Sequence, residues 1–169
     1  MRKFEKDDYK VFDLFNKQWA LVTAGNIENY NTCTISWGSM GTIWGMPGDG
    51  RPIITVYVHP SRYTNGFLKR ENIFTVSFFQ EKYRKALGIL GNLSGRDGDK
   101  VAKAGLTPVE TDGSVSFKEA SRIFVCRKLY QAPFVREGMA EEINHGMYGD
   151  WEPHDMFIGE IMEVVEKTK

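Results

Sequence analysis

Six short apolar runs, each closed off by glycine, proline, asparagine or charge, dictate what this chain can fold into. They are QWALVTAG (18–25), NTCTISWG (31–38), IITVYVH (53–59), IFTVSFF (73–79), RIFVCRKLYQ (122–131) and MFIGEIMEVVE (156–166). Val, Ile, Thr and aromatic residues dominate them, the residue types that suit a pleated, half-buried surface. Helical spacing appears only between them. Tyr83, Ala86, Leu87 and Leu90 share a face of EKYRKALGIL, with Gly91 just past its expected end, and DKVAKAG reads as a second short helix. Gly88 costs the first of these about 1 kcal/mol relative to alanine, so packing must hold it. HPSRYTNGFLKREN ends a strand and offers Thr64 as the N-cap of a third helix. Without a regular β-α-β rhythm, the pattern predicts a mainly β fold, a barrel or sheet with helical insertions. No repeat, linker or low-complexity tract divides the 169 residues, so one domain over 1–169 is expected.

Charge narrows the function classes. Lysine plus arginine equals aspartate plus glutamate at 22 each, which argues against a broad surface for nucleic acid or acidic membrane. No run is long enough to span a bilayer, and the opening MRKFEKDDYKVFDLF lacks the apolar core of a signal peptide. Cys33 and Cys126 lie far apart and form no C-x-x-C pair, so the expected compartment is the cytoplasm, with both thiols reduced. His59, His145 and His154 lack metal-ligand spacing, and no metal is expected. The chain holds no G-x-G-x-x-G after a strand, no Walker loop and no G-x-S-x-G elbow.

Three features remain that could carry chemistry. NTCTISWGSMGTIW (31–44) alternates like a strand but sets Asn31, Thr32, Thr34 and Ser36 where a packing strand would carry Val or Ile, and follows them with Trp37. SRYTNGF puts Arg62 and Thr64 where a strand turns into a helix, a local seat for an anion if Arg62 does not simply pair with a surface carboxylate. SGRDGDK offers Ser94 and Lys100 around glycines, or else is a solvated loop in which Asp99 caps the next helix. Small polar groups for the rim of a flat ring, an indole for its wall and two anion loops for a phosphate tail suit flavin mononucleotide (FMN). Pyridoxal phosphate meets the same description, but no lysine is singled out as a Schiff-base partner.

At these residues the chain resembles the flavin reductase-like proteins with the FMN-binding split-barrel fold, in their flavoredoxin branch. WALVTAG, NTCTISWGSMGTIW, YVHPSRYTNGFL, FTVSFF, ALGILGNLSGRDGDKVAKAGLTP, CRKLY and HDMFIGEI carry the resemblance, from about Trp19 to Glu163. It implies a six-stranded Greek-key split barrel with helical additions, and a homodimer with FMN near the subunit interface. By motif it puts Asn31, Thr34 and Trp37 beside the isoalloxazine and ribityl chain, with Thr32 and Ser36 expected at the ring's rim and Cys33 counted among the cofactor-binding residues. Arg62, Tyr63, Thr64, Ser94 and Lys100 then serve the phosphate, and His154 stands near the flavin edge as a candidate catalytic residue. Two departures stand out: Cys33 where relatives carry Met, and His59 where many carry Arg.

The function so implied is an FMN-dependent oxidoreductase that takes hydride from NADH or NADPH and passes electrons onward. The alternative is a flavoredoxin-type FMN electron carrier reduced by a redox partner protein, without nicotinamide turnover. A flavin-binding sensor ranks below both, and a nucleic-acid-binding barrel ranks last because the charge is balanced.

Overall fold

The computed structural model describes residues 2–167. All six apolar runs form strands, and a seventh joins them in one antiparallel sheet. The strands are β1 (Ala20–Asn26), β2 (Asn29–Ile35), β3 (Gly38–Ile43), β4 (Arg51–Val58), β5 (Ile73–Phe78), β8 (Arg122–Pro133) and β9 (Asp155–Glu166), in the spatial order β2-β1-β5-β8-β9-β4-β3. A separate hairpin pairs β6 (Pro108–Thr111) with β7 (Ser114–Phe117).

Seven strands stand where six were expected because Gly38–Ile43, a run of Gly, Ser, Met and Thr, pairs with β4 from Gly38↔Val56 to Ile43↔Arg51. It is an edge strand with largely exposed side chains, so it needs no apolar periodicity. The β6–β7 hairpin turns at Asp112 and Gly113, whose φ values of 38° and 79° suit the Asp-Gly turns that match strand twist.

Three helices pack on the sheet: α1 (Tyr63–Arg70), α2 (Arg84–Asn92) and α3 (Lys100–Ala104). Arg62, not Thr64, occupies the N-cap position of α1; Thr64 lies inside the first turn, its hydroxyl donated to Asn31. Gly91 falls within α2 rather than beyond it. A Cβ there would come within 3.3 Å of the Thr34 Cβ, so glycine lets the helix close on β2. Asp99 does cap α3, accepting from Ala102 N at 2.9 Å.

Both sheet faces are buried. Val22, Phe74, Phe78, Phe124 and Phe157 fill the inside of the curl, while Leu21, Leu87, Leu90, Phe117 and Ile123 join the other face to α2, α3 and the hairpin. Among the described residues, no helix is long and apolar enough to cross a membrane.

Two points on β9 set its register. Gly159 lies under Phe74: an added Cβ would sit 2.6 Å from Phe74 Cζ and 2.8 Å from Cys126 Cβ. Glu160, 3% exposed, accepts from Arg2 (3.3 Å), Arg51 (3.1 Å) and Arg127 (2.5 Å). Burial alone would raise its pKa, but hydrogen bonds from Arg127 and Arg2 and the charge of Arg51 outweigh it, and the carboxyl is held below its usual 4.5.

Gly159→Ala is therefore expected to lower unfolding free energy by about 1–3 kcal/mol in urea titration, the usual cost of overpacking. Glu160→Gln is expected to cost roughly 3 kcal/mol at neutral pH, because three guanidinium groups lose their shared anion. A depressed carboxyl pKa gives stability that is present above the unfolded value and lost as pH falls through the folded one. Wild type and Glu160→Gln should thus converge in thermal midpoint as pH drops below the unshifted 4.5. A gap that persists undiminished to pH ~3 would remove Glu160 from this role.

Candidate functional site

The end of β2, the end of β4 and the segment leading into β9 meet around a cleft of 230 Å³, lined in part by Cys33, Thr34, Ser36, Trp37, Arg62 and His154. A larger hollow of 1060 Å³ lies beside the start of α2, but its two arginines are already engaged. There Arg84 donates to the Lys17 and Gln18 carbonyls and lies over the Trp19 ring, while Arg122 pairs with Glu166 at 2.5 Å. Convergent polar groups with spare hydrogen-bonding capacity, not size, mark the smaller cleft as the site.

Its walls are aromatic. Trp37, 38% exposed, leans on His154 at 4.6 Å between centroids, and Trp151 stacks on His59 at 4.2 Å with the planes 17° apart. The two histidines meet edge to face at 5.2 Å. His59 is held by Ser61, whose N–H reaches Nδ1 at 3.1 Å, and by the Glu152 carbonyl, which lies 2.8 Å from Nε2. A backbone N–H can only donate and a carbonyl can only accept, so the proton of His59 sits on Nε2. Burial first, then the charges of His59 and Arg62, press the His154 pKa down to about 4. His154 is therefore uncharged at neutral pH.

One end of the cleft is basic. Arg62 gives one N–H to the Gly91 carbonyl at 2.5 Å, leaving most of its donor fork unspent. Arg96, not among the residues picked from sequence, donates to Ser61 O at 3.1 Å and lies 4.7 Å over the Tyr63 ring. α1 begins directly after Arg62, so the N–H groups of Tyr63 and Thr64 lie in the same neighbourhood, while that of Asn65 is bonded to the Arg62 carbonyl at 2.9 Å. Ser94 accepts from Arg96 N at 3.2 Å and shapes this turn. Gly95 allows the turn to lie on β2, since a Cβ would strike Asn31 Nδ2 at 2.0 Å.

Other predicted residues are placed less directly. Asn31 and Thr64 are buried and bonded to each other at 2.7 Å, behind the cleft surface. Thr34 lines the cleft but donates its hydroxyl proton to Leu87 O at 2.6 Å. Thr32 does not reach the cleft. It is fully buried, bonded to Thr23 at 2.8 Å and to the Val22 carbonyl at 3.2 Å, because its partner across the ladder supplies a matching hydroxyl. Lys100 is also turned inward: 5% exposed, it donates to the Leu93 carbonyl at 3.2 Å and closes the last turn of α2. Burial lowers its pKa, and Cys33 and Arg62 lie close enough for their charges to act on it. Cys33 is 2% exposed, and burial pushes its thiol up despite Thr64, Lys100 and Arg62, so it behaves as a small core side chain. Tyr63 packs edge-on against Phe67 at 5.2 Å and serves as the platform for Arg96.

Sequence reasoning singled out neither Arg96 nor Trp151. Arg96 stands inside the quoted SGRDGDK loop, where its charge was the available signal; GDWEPHD carried none beyond its aromatic content.

Comparison with known proteins follows the same line. A family model described as the flavin reductase like domain matches residues 12–169. The flavoredoxin of Methanosarcina acetivorans is 20% identical, with a TM-score of 0.67 over 89% of this chain and 68% of that one. An FMN-binding protein from Thermus thermophilus, solved with bound 1-cyclohex-2-enone, is 21% identical, with a TM-score of 0.67 over 98% of this chain and 80% of its own. The flavoredoxin of Desulfovibrio vulgaris (Miyazaki F) is 23% identical, with a TM-score of 0.65 over 88% and 69%. No curated protein sequence matches. These likenesses establish a shared fold, the split barrel found in flavin reductase-like proteins. With the family model running through almost the whole sequence, the chain belongs to the flavin reductase-like domain family.

Proposed function

We propose that the cleft binds FMN and that the protein is an oxidoreductase, reduced by NADH or NADPH and passing electrons onward. The observation that carries this reading is the joining of an aromatic-walled cleft, bounded by Trp37 and Trp151, to a basic end at Arg62. The donor set fits a flat ring with an anionic tail. Trp37 supplies a face, Ser36 a hydroxyl at the rim, and Arg62, Arg96, Ser94 and the start of α1 supply donors for a phosphate. The bound flavin would supply the redox chemistry. This chain's own residues bind, orient and shield. That division of labour accounts for a cleft holding neither a carboxylate pair nor an activated nucleophile among the described residues.

Likeness to two flavoredoxins supports the second reading, an FMN electron carrier reduced by a partner protein. It uses the same cofactor residues. In either case a homodimer is proposed. An apolar hollow of 330 Å³ beside the cleft, lined by Phe12, Phe15, Trp37, Tyr57 and Phe134, leaves Phe12 92% exposed, a side chain a second copy would cover.

Trp37→Ala and Arg62→Ala are each expected to weaken FMN binding by about 1–3 kcal/mol, read from flavin fluorescence on titration. Lys100→Met is expected to act mainly on thermal stability, since its ammonium closes α2. Flavin affinity unchanged in both Trp37→Ala and Arg62→Ala would move the site elsewhere. Anaerobic titration of the FMN-loaded protein separates the two functions. Bleaching of the flavin band by NADH or NADPH is expected for the reductase. A band that stays oxidised with both, yet bleaches with dithionite, assigns the carrier.

A further inference from the structure

We infer that Tyr148 is a positioning residue for the cleft: it locks His154 in the tautomer that carries its proton on Nε2, so that a fixed N–H is offered to a carbonyl oxygen bound beside it. The inference rests on the proposed function only for the identity of that carbonyl.

The lock follows from two hydrogen bonds at one hydroxyl. Tyr148 is 5% exposed, and its oxygen lies 3.0 Å from His154 Nδ1 and 3.4 Å from the backbone nitrogen of His154. The backbone N–H can only donate, so it points at a lone pair of the phenol oxygen. The phenol proton then has one acceptor in reach among the described residues, and that is Nδ1. Were Nδ1 protonated instead, the oxygen would receive two donors and its own proton would be left without a partner in a nearly closed environment, which is costly. Nδ1 therefore accepts, and the single proton of the uncharged ring sits on Nε2.

Packing fixes where that proton is presented. Trp37 leans on the His154 ring at 4.6 Å, and Trp151 meets it edge to face at 5.4 Å. Tyr148 takes the Nδ1 edge, the chain continues into β9 at Asp155, and Nε2 has no hydrogen-bond partner among the described residues although the side chain lines the cleft. The ring cannot swap its nitrogens without giving up the Tyr148 bond. An uncharged N–H donor is suited to a carbonyl oxygen that gains electron density during reduction. It polarises the oxygen without first having to lose a competing anion or a water shell.

Two carbonyls fit that chemistry, one on the flavin ring and one on a small conjugated carbonyl compound reduced beside it, and the test separates them. Long-range proton–nitrogen NMR of the ¹⁵N-labelled, FMN-free protein is expected to show His154, assigned by loss of its signals in His154→Gln, with the proton on Nε2. Tyr148→Phe is expected to leave a mixture of both tautomers. A proton on Nδ1 in the wild type, or a pure Nε2–H form retained in Tyr148→Phe, overturns the lock. Flavin titration is expected to show His154→Leu weakened about threefold to tenfold, the worth of one hydrogen bond, with His154→Gln recovering most of it. If FMN affinity is instead unchanged while p-hydroxybenzaldehyde binds the loaded His154→Leu variant more weakly by a similar factor, the acceptor is the carbonyl compound. No change in either affinity overturns the donor role. A wild-type protein that takes up no FMN overturns the proposed function, and the NMR result then still decides the lock by itself.

Discussion

One buried amide holds the site's three walls together. Asn65, 2% exposed on α1, aims its two Nδ2 protons in different directions, one at the Val58 carbonyl that ends β4 (2.9 Å) and one at Asp155 that begins β9 (2.8 Å). Lys69, one turn further along α1, pairs with the same Asp155 oxygen at 2.7 Å. The three residues that matter most in the cleft sit next to this joint: His59 follows Val58, His154 precedes Asp155, and Arg62 precedes α1. A carboxylate so deeply buried is tolerated because a charge and an amide satisfy it. Its geometry also leaves little freedom. Displacing α1 would unpair Asp155 and shift both histidines at once, so the site's shape is a property of the sheet–helix junction and not of its loops alone.

The rest of the site is built outward from that junction by elements satisfying their own ends. Lys128 donates to the Leu68 and Lys69 carbonyls and finishes α1. Lys100 finishes α2 in the same way, and Arg62 takes the Gly91 carbonyl in the same last turn. Cations at helix C-termini satisfy orphan carbonyls and complement the dipole. Arg62 does something further: it ties the start of α1 to the last turn of α2. The same residue types that a ligand phosphate would attract are thus divided between building the pocket and facing it. Lys100 is spent on construction; Arg62 and Arg96 keep donors in hand.

That division explains what the sequence could and could not announce. Strand positions were legible because burial on both faces forces β-branched and aromatic runs, and all six such runs are strands. The edge strand β3 was not, because exposed Ser39, Gly41 and Thr42 break any apolar alternation. The Asp112–Gly113 turn and its hairpin went unread, because β6 and β7 are four residues each, too short for periodicity to speak. At the site, residue type and motif singled out Trp37, Arg62 and His154, and all three line the cleft. They also singled out Thr32, which lies away from the cleft and is bonded to Thr23, because a threonine that pairs across a ladder reads the same as one that faces a ligand. Lys100 is a parallel case, since a lysine's charge does not say whether a phosphate or a helix end will receive it, and here it meets the Leu93 carbonyl.

What sequence spacing could least express is the relation between side chains that meet through different neighbours. Tyr148 and His154 are six positions apart, a separation with no helical or strand meaning, and the intervening turn at Gly149, with φ at 55°, is what brings the phenol back over the imidazole. Trp151, in the same turn, reaches across to stack on His59, ninety-odd residues away in the chain. The segment before β9 therefore contributes two aromatic rings that treat the two histidines differently. One is bonded at its Nδ1 edge by a phenol; the other is covered on its face by an indole and bonded at both nitrogens by Ser61 and the Glu152 carbonyl. With His59 fully committed, its side chain has no donor left to give a ligand, while His154 retains one. Two histidines in edge-to-face contact thus divide into a structural member and a ligand-facing member, and the division comes from hydrogen-bond accounting alone.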